Sequence, residues 1–374
     1  MTTFSESVLL YIIRRREFYN SPKKQQKKSF WDVFFKDSFC QVIWKIRRIY
    51  KAIYRIISRK TSICRILDLF LYLDEHTLVK YAGKKRKNLN PGENEKLGNL
   101  VWDIYIELSL SLAVYSEWKD LLYRAGYLDS FEEANFIDAV TISILLKKKI
   151  KYNYKKTDPS KHSLCLRYSI MCIFCIQKEK KIIMQKCNTQ VQYHQNQEIF
   201  HEIWDAIIVP VRVPQNSKRN WVMIGFQGDD PSTDFRSMGF FGLEMLHYFV
   251  LTRNDHTRIM VSESRSNQNN IDLPWYSFAL AAINILAYIV ELMNQSKLEK
   301  IFVQYYNHGI TIDEIVKQLF CYTFISFHHF WKLQVLAKKV QTVLDFERCL
   351  KHFKKKTTNN IEQGDGVIGF DCLI

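Results

Sequence analysis

Turn-makers are scarce in this chain, which holds only 12 glycines and 7 prolines in 374 residues. That scarcity excludes an architecture of many short strands joined by tight turns, so an all-α fold with long helices is expected. No secretory leader is expected either. The apolar run at residues 8–13 is too short for a signal core and meets Arg14, Arg15 and Arg16 at once. Nine cysteines, an odd number, without such a leader fit free thiols in a reducing compartment, so a cytoplasmic location is expected. Cys372 stands one place off the prenylation pattern, and Thr2 excludes myristoylation. The uncharged run 273–290 carries Pro274, Ser277 and Asn284 and ends at Glu291. A buried core helix is expected there rather than a membrane span.

The motifs of self-contained chemistry are absent too. No phosphate-binding loop of the nucleotide-hydrolase type occurs. The glycine pattern at 364–369 has no strand before it and only five residues after it, so no helix N-terminus can hold a phosphate there. Cys172 and Cys175 form a single pair with no second pair, and zinc needs four ligands, so two buried thiols are expected. His328 and His329 point about 100° apart on a helix and do not share a metal easily. No metal and no cofactor of its own is therefore assigned to this chain.

What is present begins with charge. The net charge is +16, of which +11 falls in the first sixty residues. Val42, Ile46, Ile49, Ile53 and Ile57 form one apolar helical stripe, with Lys45, Arg47, Arg48, Lys51 and Arg55 on the opposite arc. Two readings stay open: contact with an anionic membrane surface, peripheral on an internal membrane, or a docked helix with a solvated basic face. Nucleic-acid binding is not expected, because the excess sits in one amphipathic segment without a reader motif.

Composition shifts divide the chain into a basic region at 1–65, a helical region at 66–187, a main domain at 188–353 and a flexible tail at 354–374. Residues 83–95, with Lys84, Lys85, Arg86 and Lys87 before Asn90-Pro91-Gly92, are expected as an exposed loop. Residues 104–114 are expected as helix. Ser130 and Glu133 form a capping-box pattern, a lysine-rich run ends at Asp158-Pro159, and Thr311 with Glu314 caps a long helix.

One stretch is unlike the rest. Four of the glycines lie between residues 225 and 242, inside a run from Trp221 to Phe249. Asp230-Pro231 is a helix start, since Asp caps and Pro presets the first turn. Phe240, Leu243, Leu246 and Val250 continue as a helical stripe, which puts Arg236 in a turn or first helical turn. A guanidinium on a rigid turn is suited to stabilising charge on a phosphoryl group in another protein's active site. Asp229, Asp230 and Asp234 offer the opposite reading, a local salt bridge, which physics alone favours.

The run Trp221, Gly225, Phe226, Gln227, Gly228, Asp230, Pro231, Thr233, Asp234, Phe235, Arg236, Met238 and Gly239, on through Tyr248 and Phe249, resembles the signature of the ELMO domain. It is most similar to the ELMOD group, GTPase-activating proteins for Arf-family small GTPases. The helix at 275–293 with Asn284, the segments 302–307, 320–322, 327–331 and 345–346, and His194 to Trp204 follow the family's order. The likeness covers roughly 188–353. It implies that Arg236 acts as an arginine finger supplied in trans, and that Trp221, Gly225, Phe226, Gln227, Asp230, Pro231, Thr233, Asp234, Phe235, Gly239 and Asn284 are motif scaffold. GTP and Mg²⁺ would be held by the partner GTPase. Where the family has glycine after the arginine this chain has Ser237, which strains the turn if that position takes positive φ. The alternative function is a non-catalytic ELMO-type adaptor for a Dock exchange factor. It is disfavoured by Arg236 and by the short, proline-free sequence after residue 353.

Overall fold

The computed structural model describes residues 61–71, 73, 91–150, 160–208, 219–267 and 270–363. The basic segment 42–57 with Lys45, Arg47, Arg48, Lys51 and Arg55, the Asp158-Pro159 boundary and the 364–369 glycines lie outside them. Helices carry the fold, and no strand occurs among the described residues. The chain divides into two compact units, residues 1–178 with 302–310 and residues 179–301 with 311–374.

The first unit contains α1 (Ser62–Leu69), α2 (Pro91–Ser109), α3 (Tyr115–Arg124), α4 (Ser130–Lys147), α5 (Lys161–Asn188) up to Lys178, and residues 302–310 of α10 (Glu299–Asn307) and its following turn. Leu100, Ile104, Leu121, Leu145, Leu166 and Phe174 are fully buried in it. A buried polar link in it runs from the Tyr168 hydroxyl, which donates to Asn307 Oδ1 at 2.9 Å. Two expectations are corrected here. Residues 91–95 are helical, because Pro91 opens α2 at the one position where its missing N–H costs nothing. The α4 cap is set one residue earlier than Ser130: the Asp129 carboxylate accepts from Phe131 and Glu132 N–H, and Glu132 closes the box. A carboxylate beside an N-terminus is a stronger acceptor than a hydroxyl there.

The second unit holds the end of α5 with α6 (Gln197–Ile207), α7 (Gly239–Thr252), α8 (Asn254–Arg265), α9 (Phe278–Asn294), α11 (Ile312–Leu336) and α12 (Phe346–Gln363). The uncharged run is the core helix expected: α9 is buried along most of its length, and its exposed line is Asn284, Glu291 and Asn294. No single helix among the described residues is long and apolar enough to cross a membrane. Phe249 of α7 meets Phe324 of α11 at 5.0 Å between centroids, and Phe278 of α9 meets the same ring at 5.2 Å. Each such ring contributes about 1.5–3 kcal/mol by burial.

Polar pins fix this apolar stack. Lys180 and Glu299 form a buried ion pair, and Glu179 Oε2 accepts the Ile312 N–H at 2.6 Å, holding the first turn of α11. Thr311 and Glu314 close the expected capping box at that same end. His328 is buried, bonded to the Tyr276 hydroxyl through Nδ1 at 2.7 Å and to Glu263 Oε2 through Nε2 at 2.7 Å, while His329 is exposed. Neither belongs to a metal cluster among the described residues, nor do Cys172, which is buried, and Cys175, which is half-buried. α12 continues through Gln363, so residues 354–363, expected as tail, are helical.

Candidate functional site

The segment from Trp221 to Gly239 forms two short 3₁₀ turns, Trp221–Ile224 and Pro231–Ser237, laid against α6, α7 and α9. Aromatic side chains clamp it. The Trp221 ring meets Trp204 at 5.3 Å, Phe200 at 5.7 Å, Phe226 at 5.9 Å and Tyr193 at 6.1 Å. Phe235 closes the cluster against Phe226 at 5.9 Å and Phe200 at 6.0 Å. Edge-on pairs of this kind add about 0.5–1.5 kcal/mol each beyond burial. Phe200 and Trp204, one turn apart on α6, are the brace that the sequence reading left without a role. Their four-residue spacing, ahead of an aromatic motif, is the signal that marks them.

Two of the motif glycines are demanded by neighbouring backbone. Gly225 takes φ +94°, and a Cβ there would stand 2.5 Å from the Phe278 nitrogen, the first residue of α9. Gly239 takes φ +49°, and its Cβ would stand 2.4 Å from the Cys187 carbonyl oxygen and 2.5 Å from that of Thr189. Both carry the turn against neighbouring backbone at a distance that only hydrogen permits. Gly228 has open space around it.

The polar residues build the second turn. Asp230 caps it, with Oδ1 accepting from Ser232 N–H at 3.0 Å and from the Ser232 hydroxyl at 2.6 Å. Pro231 follows at the first position, and the Thr233 hydroxyl donates to the Asp230 carbonyl at 2.9 Å. Gln227 contributes its backbone: its N–H donates to Asp234 Oδ2 at 2.8 Å, tying the first turn to the second. Burial pushes the Asp234 carboxyl above its ordinary value, while the Gln227 N–H and the Arg236 charge act against that shift. Asn284 does not join the turn. It is exposed on α9, and its amide donates to the Leu280 carbonyl at 2.9 Å.

Arg236 stands one residue before the end of the second turn, between buried Phe235 and buried Met238, with its own side chain exposed. The local salt bridge that physics alone favours does not form. Asp230 and Asp234 direct their oxygens to Ser232 and to the Gln227 N–H, and Arg236 has no ion pair or hydrogen bond with any described residue. Ser237 is not strained. It closes a right-handed 3₁₀ turn and is absent from the positive-φ residues other than glycine, which are Lys149, Ser296 and Lys338. The arrangement is a solvent-facing guanidinium on a rigid, aromatic-braced corner.

Residues 181–350 match the ELMO/CED-12 family. Over 185 residues the chain is 29% identical to ELMO domain-containing protein B of Dictyostelium discoideum, covering 50% of this chain and 58% of that protein. Over 183 residues it is 28% identical to ELMO domain-containing protein 1 of Mus musculus, covering 46% and 55%. Over 258 residues it is 28% identical to ELMO domain-containing protein 2 of Homo sapiens, covering 67% and 79%. The match spans little more than half the length of the first two. No solved structure matches the chain significantly. The braced corner at 221–239 lies inside the span, residues 181–350, that is similar to the ELMO/CED-12 family.

Proposed function

We propose that this protein is a GTPase-activating protein for an Arf-family small GTPase, with Arg236 as an arginine finger offered in trans. The observation that supports it is the exposed, unpaired state of Arg236 on a corner held rigid by Trp221, Phe235, Gly225 and Gly239. A surface arginine with a structural task would be tied to a neighbouring carboxylate, and three lie within seven residues of it. The partner GTPase supplies nucleotide, Mg²⁺ and the water-positioning group. This chain supplies one fixed positive charge where the transferring phosphoryl group becomes most negative. Such a finger is worth about 10³–10⁵ in rate in other GTPases. The work takes place in the cytoplasm.

The test is single-turnover GTP hydrolysis by a panel of Arf-family GTPases, with and without the full chain. At least one member should hydrolyse faster with the parent chain, and Arg236→Lys should lose most of the gain, because lysine lacks the planar fork. Stimulation by Arg236→Lys at the parent rate would overturn the reading. A second reading is a non-catalytic adaptor, favoured by Val222 and Met223, which are 48% and 40% exposed on the first 3₁₀ turn and suit a protein contact. In that case the Arg236→Lys chain would bind its partner as the parent does, and neither would change the hydrolysis rate.

A further inference from the structure

The corner between α11 and α12, far in sequence from Arg236, has a composition that the proposed activity does not use. Between Leu333 and Lys356 the chain holds seven basic residues and two acidic ones. Lys338, Lys339, Lys351, Lys355 and Lys356 are exposed, and none of them has an ion-pair partner among the described residues. One of the two acids, Asp345, is already engaged: it accepts from the Gln341 N–H at 2.8 Å and pairs with Arg348 at 2.7 Å. Lys338 itself takes φ +55°, a left-handed position after the helix end where glycine is the low-strain residue.

A cavity of about 580 Å³ opens at this corner, lined by Lys338, Lys339, Gln341, Arg348 and His352 among others. Asp345 lines it too but is paired with Arg348, so Lys338 and Lys339 are the two charges on its wall that suit a phosphate group. The apolar residues beside it are displayed rather than buried. Leu333 and Leu336 end α11 at 61% and 77% exposure, and Leu344, past the turn, is 78% exposed. Lysines with protruding leucines on both sides of one turn match the two layers of a membrane face, charged headgroups above hydrocarbon. A soluble phosphate ligand would have no use for the leucines.

We propose that the α11–α12 corner is an anionic-phospholipid docking surface, with Lys338, Lys339, Lys351 and Lys355 meeting headgroup phosphates, one of them in the cavity, and Leu336 and Leu344 entering the interface. The site is independent of the GTPase reading and stands if that reading fails. It is also far in sequence from the basic segment 42–57, and the experiment removes that segment's contribution. In a full-length chain with Lys45, Arg47, Arg48, Lys51 and Arg55 changed to Gln, binding is measured by flotation with two vesicle types. One is phosphatidylcholine alone; the other is phosphatidylcholine with one-fifth phosphatidylserine and a small share of phosphatidylinositol 4-phosphate.

The chain should float with the anionic vesicles and not with the neutral ones. In that background Lys338→Gln with Lys339→Gln should weaken binding by roughly tenfold or more, since each basic residue near an anionic surface contributes about fivefold. Leu336→Gln with Leu344→Gln should weaken it as well while leaving the charge unchanged. All four residues are exposed, so melting temperature should hold. Undiminished flotation of either pair variant would overturn the proposal. So would a chain that binds inorganic phosphate or RNA through these lysines but ignores the vesicles.

Discussion

Arg236 is exposed because its neighbours are not. Phe235 and Met238 anchor the turn on either side, and the nearby carboxylates are committed to backbone N–H groups and to Ser232. Replacing Arg236 should therefore leave stability within about 0.5 kcal/mol. The glycines behave differently from one another. Gly225→Ala adds a Cβ 2.5 Å from a backbone nitrogen at φ +94°, so chemical denaturation should show a loss of about 2–4 kcal/mol. Gly228→Ala meets nothing within 4 Å and should stay within about 0.5 kcal/mol. Equal losses at the two positions would mean that the turn is not built as described. Sequence pattern made the cap at Asp230-Pro231 legible, because its chemistry is local. It did not reveal whether Arg236 is paired, because that depends on where Asp230 and Asp234 aim their oxygens.

Helix-scale stability rests on a few polar pins in an apolar stack. Glu299→Gln leaves the Lys180 ammonium buried without a counter-charge and should cost about 3–5 kcal/mol. Lys180→Met combined with Glu299→Leu removes both charges and should cost less than either single change; a more costly double variant would contradict the pairing. The His328 pin sets a pH dependence. Burial holds its imidazolium form below the ordinary range, with Glu263 acting in the other direction. The unfolded chain takes up that proton near pH 6.5 while the folded one resists it. Stability is therefore intact above that pH and falls as pH drops through it. Melting curves between about pH 7.5 and 5.5 should slope less in His328→Gln than in the parent. His201 and His308, shifted the same way by burial, remain in both proteins, so the difference isolates His328. A parallel pair of curves would contradict this account. The capping box at Thr311 and the apolar face of α11 were readable from spacing. The ties from Glu179 to Ile312 and from Tyr276 to His328 were not, since each joins residues more than fifty positions apart.

Over the whole molecule the sequence shows the helical class through its few turn-makers, and the ELMO motif through one dense run of glycines and aromatics. It shows less of the first unit. Asp129, not Ser130, begins α4, and Pro91 begins a helix where a loop reads equally well, since both choices turn on one residue of register. Charge is the other molecular property. An excess of +16 with cationic segments at 42–57 and 338–356 should make any membrane association fall steeply as salt rises. Sedimentation with anionic vesicles at low and high ionic strength checks this, and binding insensitive to salt would contradict it.

The most direct test of the trans-acting guanidinium compares ground state with transition state. Affinity of the parent chain for its Arf-family partner is measured with the GTPase bound to GDP alone and to GDP with aluminium fluoride, a mimic of the phosphoryl group in flight. The account predicts tight binding only with the fluoride, because the charge that Arg236 meets exists only there, and loss of that increment in Arg236→Lys. Equal affinity for both nucleotide states, or an increment that survives in Arg236→Lys, would contradict it.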